Sequence, residues 1–348
     1  MHCVFHGIRF KVNKRLGCRE TALLAFYKDH SMKTTYQRIH SSIKLALPKS
    51  AKTIIWLLKV ILPISLIVSL LHHFGVIAFI AIYLEPLFQL IGLPGESAIV
   101  FLTSFFLTLY APIAIMATLP LEMREITILA LMCLITHNLF IETSIQKKTG
   151  SSYPVMFFLR LFTSFLAAWL LNLMLPEDMG KSMVVEKAII HPDILSLLIH
   201  WAKGAVGLII KIVLIVTGLM ILQNILKEFK IMEIISKTFA PMMKIFGLSK
   251  DSSFLWFVAQ ITGLTYGSAI MIEQTENNEI SRKDSDLLNH HIAINHSLLE
   301  DTLLFVAIGV PVFWITIPRI LLAMVAVWTA KLVYNIFSKK NITQNLQI

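Results

Sequence analysis

Residues 73–97 read HFGVIAFIAIYLEPLFQLIGLPGES, and residues 228–252 read EFKIMEIISKTFAPMMKIFGLSKDS. Laid over one another at a constant offset of 155, Phe74 meets Phe229, Pro86 meets Pro241, Gly92 and Leu93 meet Gly247 and Leu248, and Ser97 meets Ser252. The same offset carries Ala114, Ile115 and Met116 onto Ala269, Ile270 and Met271. Past a slightly longer loop in the second half the offset becomes 159. There His137 meets His296, Thr143 meets Thr302, Gly150 meets Gly309, Arg160 meets Arg319 and Trp169 meets Trp328. Matching leucines would carry no information in an apolar chain, but coincident Pro, Gly, His, Arg and Trp do. The chain therefore reads as two copies of one unit, 53–174 and 204–335, joined by a polar linker at 175–203.

The composition says where such a unit sits. Hydrophobic residues make up 56% of the 348, charged residues only 15%, and the mean hydropathy is +0.73, far from the balance of a water-soluble domain. Apolar stretches at 53–71, 97–118, 126–145, 154–175, 204–226, 253–272, 287–308 and 311–335 approach or exceed the roughly 20 residues a helix needs to cross a bilayer core. The expected fold is an all-α polytopic membrane protein. Each repeat holds four membrane-embedded segments, A to D, and one interfacial amphipathic helix between A and B.

Charge orients the chain. The formal net charge is +10, and Lys33, Arg38, Lys44, Lys49 and Lys52 precede the first apolar stretch with no acid among them. The positive-inside rule predicts a cytoplasmic tail at 1–52, and Lys339 and Lys340 predict another at 336–348. Residues 1–31 lack the uninterrupted apolar core of a signal peptide and read as a disordered basic tail, or as an extension upstream of a start at Met32. Cys3, Cys18 and Cys133 match neither a disulfide framework nor a zinc motif. No folded basic face accompanies the charge, so no nucleic-acid partner is expected. The expected partners are the lipid bilayer, a small solute or cation, and a second copy of the chain.

The amphipathic helix is clearest in the second copy, where Glu233, Lys237 and Lys244 fall within about 40° of one another on a helical wheel. In the first copy only Glu85 and Gln89 mark a polar side. Pro86 and Pro241 should kink either helix. Segment B decides the topology. If it spans, the copies are parallel with four crossings each; if it dips in and breaks near LYAP (109–112) and TYGS (265–268), they are inverted with three. Loop charges lean weakly to inversion, and the short length of B leans against it. The small residues of ITGLTYGSAIM (261–271) likewise have two readings. Gly263, Tyr266, Gly267 and Ser268 mark an unwound stretch, or they allow close helix packing, the commoner use in membranes.

Ionisable groups within a bilayer are by default a functional-site hypothesis, at a cost of about 2.5–3.5 kcal/mol each on insertion scales. They occur twice, in THNLFIETSIQKKTG (136–150) and NHSLLEDTLLFVAIG (295–309). Glu142 aligns with Asp301, and Glu300 is an acid without a twin. His296 and Glu300 are one turn apart, but His137 to Glu142 and His296 to Asp301 are five residues apart, about 140° round a regular helix. Those pairs meet only if the helix is broken or the partner comes from the other copy. The candidate site is therefore His137, Asn138, Glu142 and Thr143 facing His296, Glu300, Asp301 and Thr302. The competing reading is structural, with Glu142 and Asp301 neutralising Arg160 and Arg319, unless those arginines snorkel to the interface. His290 and His291 read as a solvated loop edge, and His72 and His73 as a span end. A metal held by His290, His291, His296, Glu300 and Asp301 suits the residue types but matches no standard spacing. No nucleophile elbow, protease dyad or phosphate loop stands out, so neither enzymatic activity nor a cofactor is expected.

Two features carry a family resemblance. One is the EP or AP followed by an apolar turn and GL, at Pro86 to Leu93 and Pro241 to Leu248. The other is the run NHSLLEDTLLF with PRILLAM, from Asn295 to Met324. They resemble the Gate, or nucleoside recognition, domain over 53–335 in two copies. Similar domains occur in concentrative nucleoside transporters, ferrous iron transporters and spore maturation membrane proteins. The resemblance implies a bacterial inner-membrane location, helical repeats and a role as secondary transporter or permease of a nucleoside-like solute or cation. The alternative is a non-transporting scaffold or assembly factor of the spore maturation type. It leaves the substrate open.

Overall fold

The computed structural model describes residues 2–5, 8–11, 34–180, 193–276 and 280–345. Most of the expected 1–31 tail and residues 181–192 of the linker lie outside them. Strands His2–Phe5 and Ile8–Lys11 pair as a short antiparallel ladder. The rest is helical, with α1 (Thr35–His73), α2 (Val76–Gln89), α3 (Ser97–Phe106), α4 (Tyr110–Met116), α5 (Met123–Thr136), α6 (Leu139–Lys148) and α7 (Tyr153–Met174) in the first copy. The second copy holds α8 (Ile194–Glu228), α9 (Ile231–Phe239), α10 (Ser253–Glu276), α11 (Arg282–Ile294), α12 (Glu300–Val306) and α13 (Val312–Asn345).

Segment A is longer than its apolar core. A capping box between Thr34 and Gln37 starts α1 at Thr35, so 35–52 of the expected tail is helix, and Asp193 caps α8 through the Ser196 amide. Both helices are followed by a left-handed residue, Gly75 (φ 74°) and Lys230 (φ 52°), at matching positions of the repeat. The interfacial helix of the second copy ends early. Pro241 opens a 3₁₀ turn, Ala240–Lys244, so Lys244 lies off the helical face shared by Glu233 and Lys237. Pro86 stays inside α2. After each, a left-handed glycine (Gly92, φ 74°; Gly247, φ 75°) turns the chain, and the next amide bonds back, Leu93 to the Phe88 carbonyl and Leu248 to that of Met243.

Segments B and C are broken in both copies, whereas C reads in the sequence as continuous. Segment B of the first copy parts at Leu107, which is extended (φ −127°, ψ 163°), because Pro112 would clash with the Thr108 carbonyl in a continuous helix. In the second copy it parts at Gly263 (φ 78°, ψ 173°), a conformation open to glycine alone. Segment C parts at Asn138 (φ 50°) and at Ser297 (φ 50°), again matching positions. The freed backbone groups of C are met by B: the Asn138 amide donates to the Ser104 carbonyl, and the Ser297 amide to that of Ala259. Those pairs are related by the same two offsets found in the sequence. Gly267, by contrast, packs closely on the Ala259 backbone, as small residues in membrane helices do.

The two A helices settle the orientation of the copies. Arg38 Nε lies 2.9 Å from Glu228 Oε1, Asn224 Nδ2 donates to the Ser42 carbonyl at 3.3 Å, and Trp201 Nε1 donates to Ser65 Oγ at 3.0 Å. As the residue number rises along α1 its partner's falls along α8, so the helices are antiparallel. Copies whose first helices run in opposite directions are inverted. Five helical stretches are long and apolar enough to cross a membrane among the described residues: Thr35–His73, Met123–Lys148, Tyr153–Met174, Ile194–Glu228 and Val312–Ile336. In the first copy these are A, C and D, the odd number inversion requires. The two halves of B there, 10 and 7 residues long, are each too short to cross.

The core forms round the first copy's segment C. Residues 126–137 are buried without interruption, which fits a stretch apolar on every side. Helices α1 and α8 lie outside it, with most of their apolar surface facing outward.

Candidate functional site

The break at Asn138 decides what His137 can reach. With the helix interrupted, the five-residue separation no longer holds the side chains about 140° apart, and His137 Nε2 lies 3.4 Å from Glu142 Oε1. The other partners come from the second copy. His137 Nε2 is 3.5 Å from Asp301 Oδ2, His296 Nε2 is 3.3 Å from Glu142 Oε2, and the two imidazole Nε2 atoms are 3.3 Å apart. His137, Glu142, His296 and Asp301 are each at least nine-tenths buried. Both conditions named from the sequence, a broken helix and a partner in the other copy, are met together.

Each imidazole is held by its other nitrogen. His137 Nδ1 faces the Cys133 carbonyl at 3.2 Å, and His296 Nδ1 faces the Ile292 carbonyl at 2.7 Å. A carbonyl only accepts, so each Nδ1 carries the proton, and in the neutral ring each Nε2 presents a lone pair. With both rings neutral, two lone pairs point at one another across the repeat interface, with carboxylate oxygens beside them.

Arg160 and Arg319 hold this centre from behind. Arg160 Nε donates to the Ile135 carbonyl and Nη2 to that of His137, both at 2.8 Å. Arg319 repeats the pattern on the Ile294 and His296 carbonyls. The arginines close the ends of the first half-helices, whose last carbonyls the break leaves without intrahelical partners. Both are fully buried, so neither snorkels to the interface. The ion-pair reading holds for one copy only. Arg160 Nη2 is 2.8 Å from Glu142 Oε2, but no ion pair joins Arg319 to Asp301 among the described residues, and Asp301 lies against His137 instead.

The remaining predicted residues divide. Asn138 contributes its backbone, as the left-handed residue of the break. Thr143 and Thr302 are buried, and among the described residues their hydroxyls have no hydrogen-bond partner; Asp301 Oδ2 likewise has none, nor has Glu142 Oε2 beyond its ion pair with Arg160. Glu300 makes no ion pair with either histidine among the described residues, accepting instead from the Tyr110 hydroxyl at 3.5 Å and from Gln223 Nε2 at 3.4 Å. Gln223 also donates to the Ile261 carbonyl beside the Gly263 break. The amide pair Gln223 and Asn224 in the apolar α8 was a legible signal for that contact; nothing in LYAP marked Tyr110. His290 and His291 do not edge a loop: Ser281 caps α11 ahead of them, His291 is fully buried and accepts from Trp256 Nε1, and His290 sits beside Asp286. They are remote partners in other networks, so the metal set read around them does not form. His72 remains a span-end residue, 3.9 Å from Glu96.

The sequence profile of the Gate family, described as nucleoside recognition, matches residues 54–168 and 209–327. The chain belongs to the Gate family. Its two Gate segments coincide with the two inverted copies described above. A relative in Bacillus subtilis (strain 168), an uncharacterized membrane protein YvoD, is 30% identical over 270 residues, covering 76% of this chain and 86% of the relative. No solved structure matches the chain.

Proposed function

We propose that this Gate protein is a permease for a small solute or cation, with its binding site at the interface of the inverted repeats. The observation that carries the proposal is the meeting of His137 and His296, one from each copy, with Glu142 and Asp301 at the level of broken helices. Membrane transporters built from inverted repeats place their sites at the repeat interface, on discontinuous helices whose exposed ends serve the cargo. A scaffold needs helices fastened together, which Arg160 and Glu142 do. It has no need of two imidazole lone pairs turned towards each other. Six crossings, A, C and D of each copy, would leave both termini on one side. The lysine-rich ends support a cytoplasmic location for that side and an inner-membrane location for the protein.

Asp301 separates the readings better than Glu142, because it makes no ion pair with an arginine among the described residues. Proteoliposomes would be assayed for uptake of nucleosides and of divalent metal ions. Asp301→Asn should cut flux at least about tenfold while folded yield holds, and Glu142→Gln should lower both. Full uptake by Asp301→Asn, with reduced yield, would assign the cluster to structure.

A further inference from the structure

We infer that His137, His296 and Glu142 form a three-ligand site for a first-row divalent transition ion of the zinc type, with the fourth tetrahedral position open on the side of Asp301. The inference names the cargo class of the permease proposed above, and for its transport consequence it rests on that reading.

Three observations carry it. The first is distance: His137 to His296, His137 to Glu142 Oε1 and His296 to Glu142 Oε2 are 3.3, 3.4 and 3.3 Å, and Asp301 lies beside the set, 3.5 Å from His137. A good hydrogen bond to nitrogen spans about 2.7–3.2 Å, so all four are too long for a cluster held together by shared protons. The three among His137, His296 and Glu142 match the donor-to-donor spacing of about 3.3–3.4 Å that tetrahedral geometry sets for metal bonds of about 2.0–2.1 Å. A second observation is orientation. Each Nδ1 is engaged by a backbone carbonyl and each Nε2 is left as a lone pair, which is how metal-binding histidines are held by their outer partners. The third is unmet hydrogen bonding: among the described residues Glu142 Oε2 and Asp301 Oδ2 are buried acceptors without a hydrogen-bond donor, Arg160 lying close to the former but off hydrogen-bond geometry. Two imidazoles and one carboxylate converge from two copies of the repeat, His137, Glu142 and His296 each offering a donor atom within 4.8 Å of the others, and the Asp301 carboxylate lies next to His137.

Ligand chemistry selects among cations. Magnesium and calcium take oxygen ligands and keep water, so an imidazole pair disfavours both. Imidazole with carboxylate suits zinc and its neighbours.

Cobalt(II) is the probe, because its visible spectrum reports coordination geometry directly. The full chain, purified in detergent and stripped with chelator, should develop an intense tetrahedral-type absorption that saturates near one equivalent of Co²⁺ and is displaced by Zn²⁺. His296→Gln should lose that spectrum and weaken binding at least about tenfold, while Ser144→Ala, on the exposed side of α6, should retain both. Should His296→Gln fail to fold, the unaltered protein decides: Zn²⁺ should raise its unfolding temperature in a concentration-dependent way, and Mg²⁺ should not. A pale six-coordinate spectrum, an unchanged spectrum in folded His296→Gln, or no stabilisation by Zn²⁺ would overturn the inference. Binding without Zn²⁺ flux would leave the site standing and remove the permease reading. Flux of a different solute without metal binding would do the reverse.

Discussion

At the scale of single residues, the arginine of segment D is the part whose removal should cost most. Arg319 supplies charged hydrogen bonds to two carbonyls that have no other intrahelical partner. Arg319→Met should destabilise the protein by about 3 kcal/mol or more, since hydrogen bonds to charged groups contribute about 1.5–3 kcal/mol each; thermal unfolding in detergent measures it. Glu300 gives the opposite expectation. Glu300→Gln keeps an acceptor for Tyr110 and Gln223 and should change stability by less than about 1 kcal/mol, whereas Glu300→Leu leaves both donors unpaired and should cost about 1–3 kcal/mol. Glu300, the acid without a twin, thus belongs to a contact between the first copy's segment B and the second copy's segment A, and not to the histidine centre.

At the scale of elements, the breaks are conformational commitments that particular residues make. Gly263 combines a backbone open only to glycine with a Cβ position 2.8 Å from Ser297 Oγ. Gly263→Ala should cost about 1–3 kcal/mol and lower the unfolding temperature. At Asn138 the left-handed conformation is tolerated by asparagine and preferred by glycine. Asn138→Gly should be neutral within about 0.5 kcal/mol, and Asn138→Val should destabilise by about 1–2 kcal/mol, both read from the same melting curves. The sequence showed C as one apolar stretch, because hydropathy counts residues and is blind to a single left-handed φ. Its breaks became legible only through the puzzle they solve, two acids five residues from two histidines.

At the scale of the whole molecule, the antiparallel A helices predict a cross-linking pattern. With the native cysteines replaced by serine, a short bifunctional reagent should join Ser42→Cys to Asn224→Cys, and should not join Ser42→Cys to Trp201→Cys. Parallel copies would reverse the two results. A reporter placed in the 175–203 linker should be found on the side of the membrane opposite to one at the N-terminus, since three crossings of the first copy separate them.

The sequence by itself determined that this is a helical membrane protein built twice from one unit, and it paired the residues that matter: His137 with His296, Glu142 with Asp301, Arg160 with Arg319. Rare residues in an apolar background reveal a duplication, and burial of charge in lipid is costly enough to mark where function or structure requires it. Only the tertiary structure decided that the copies are inverted and that one histidine from each meets the other nitrogen to nitrogen. It also showed both arginines holding backbone carbonyls, with only one of the two ion pairs the sequence suggested, Arg160 with Glu142, formed among the described residues. Those outcomes depend on which way α1 and α8 run and on where four helices break. Contacts between residues 34 to 190 positions apart fix both, and hydropathy along the chain does not encode them.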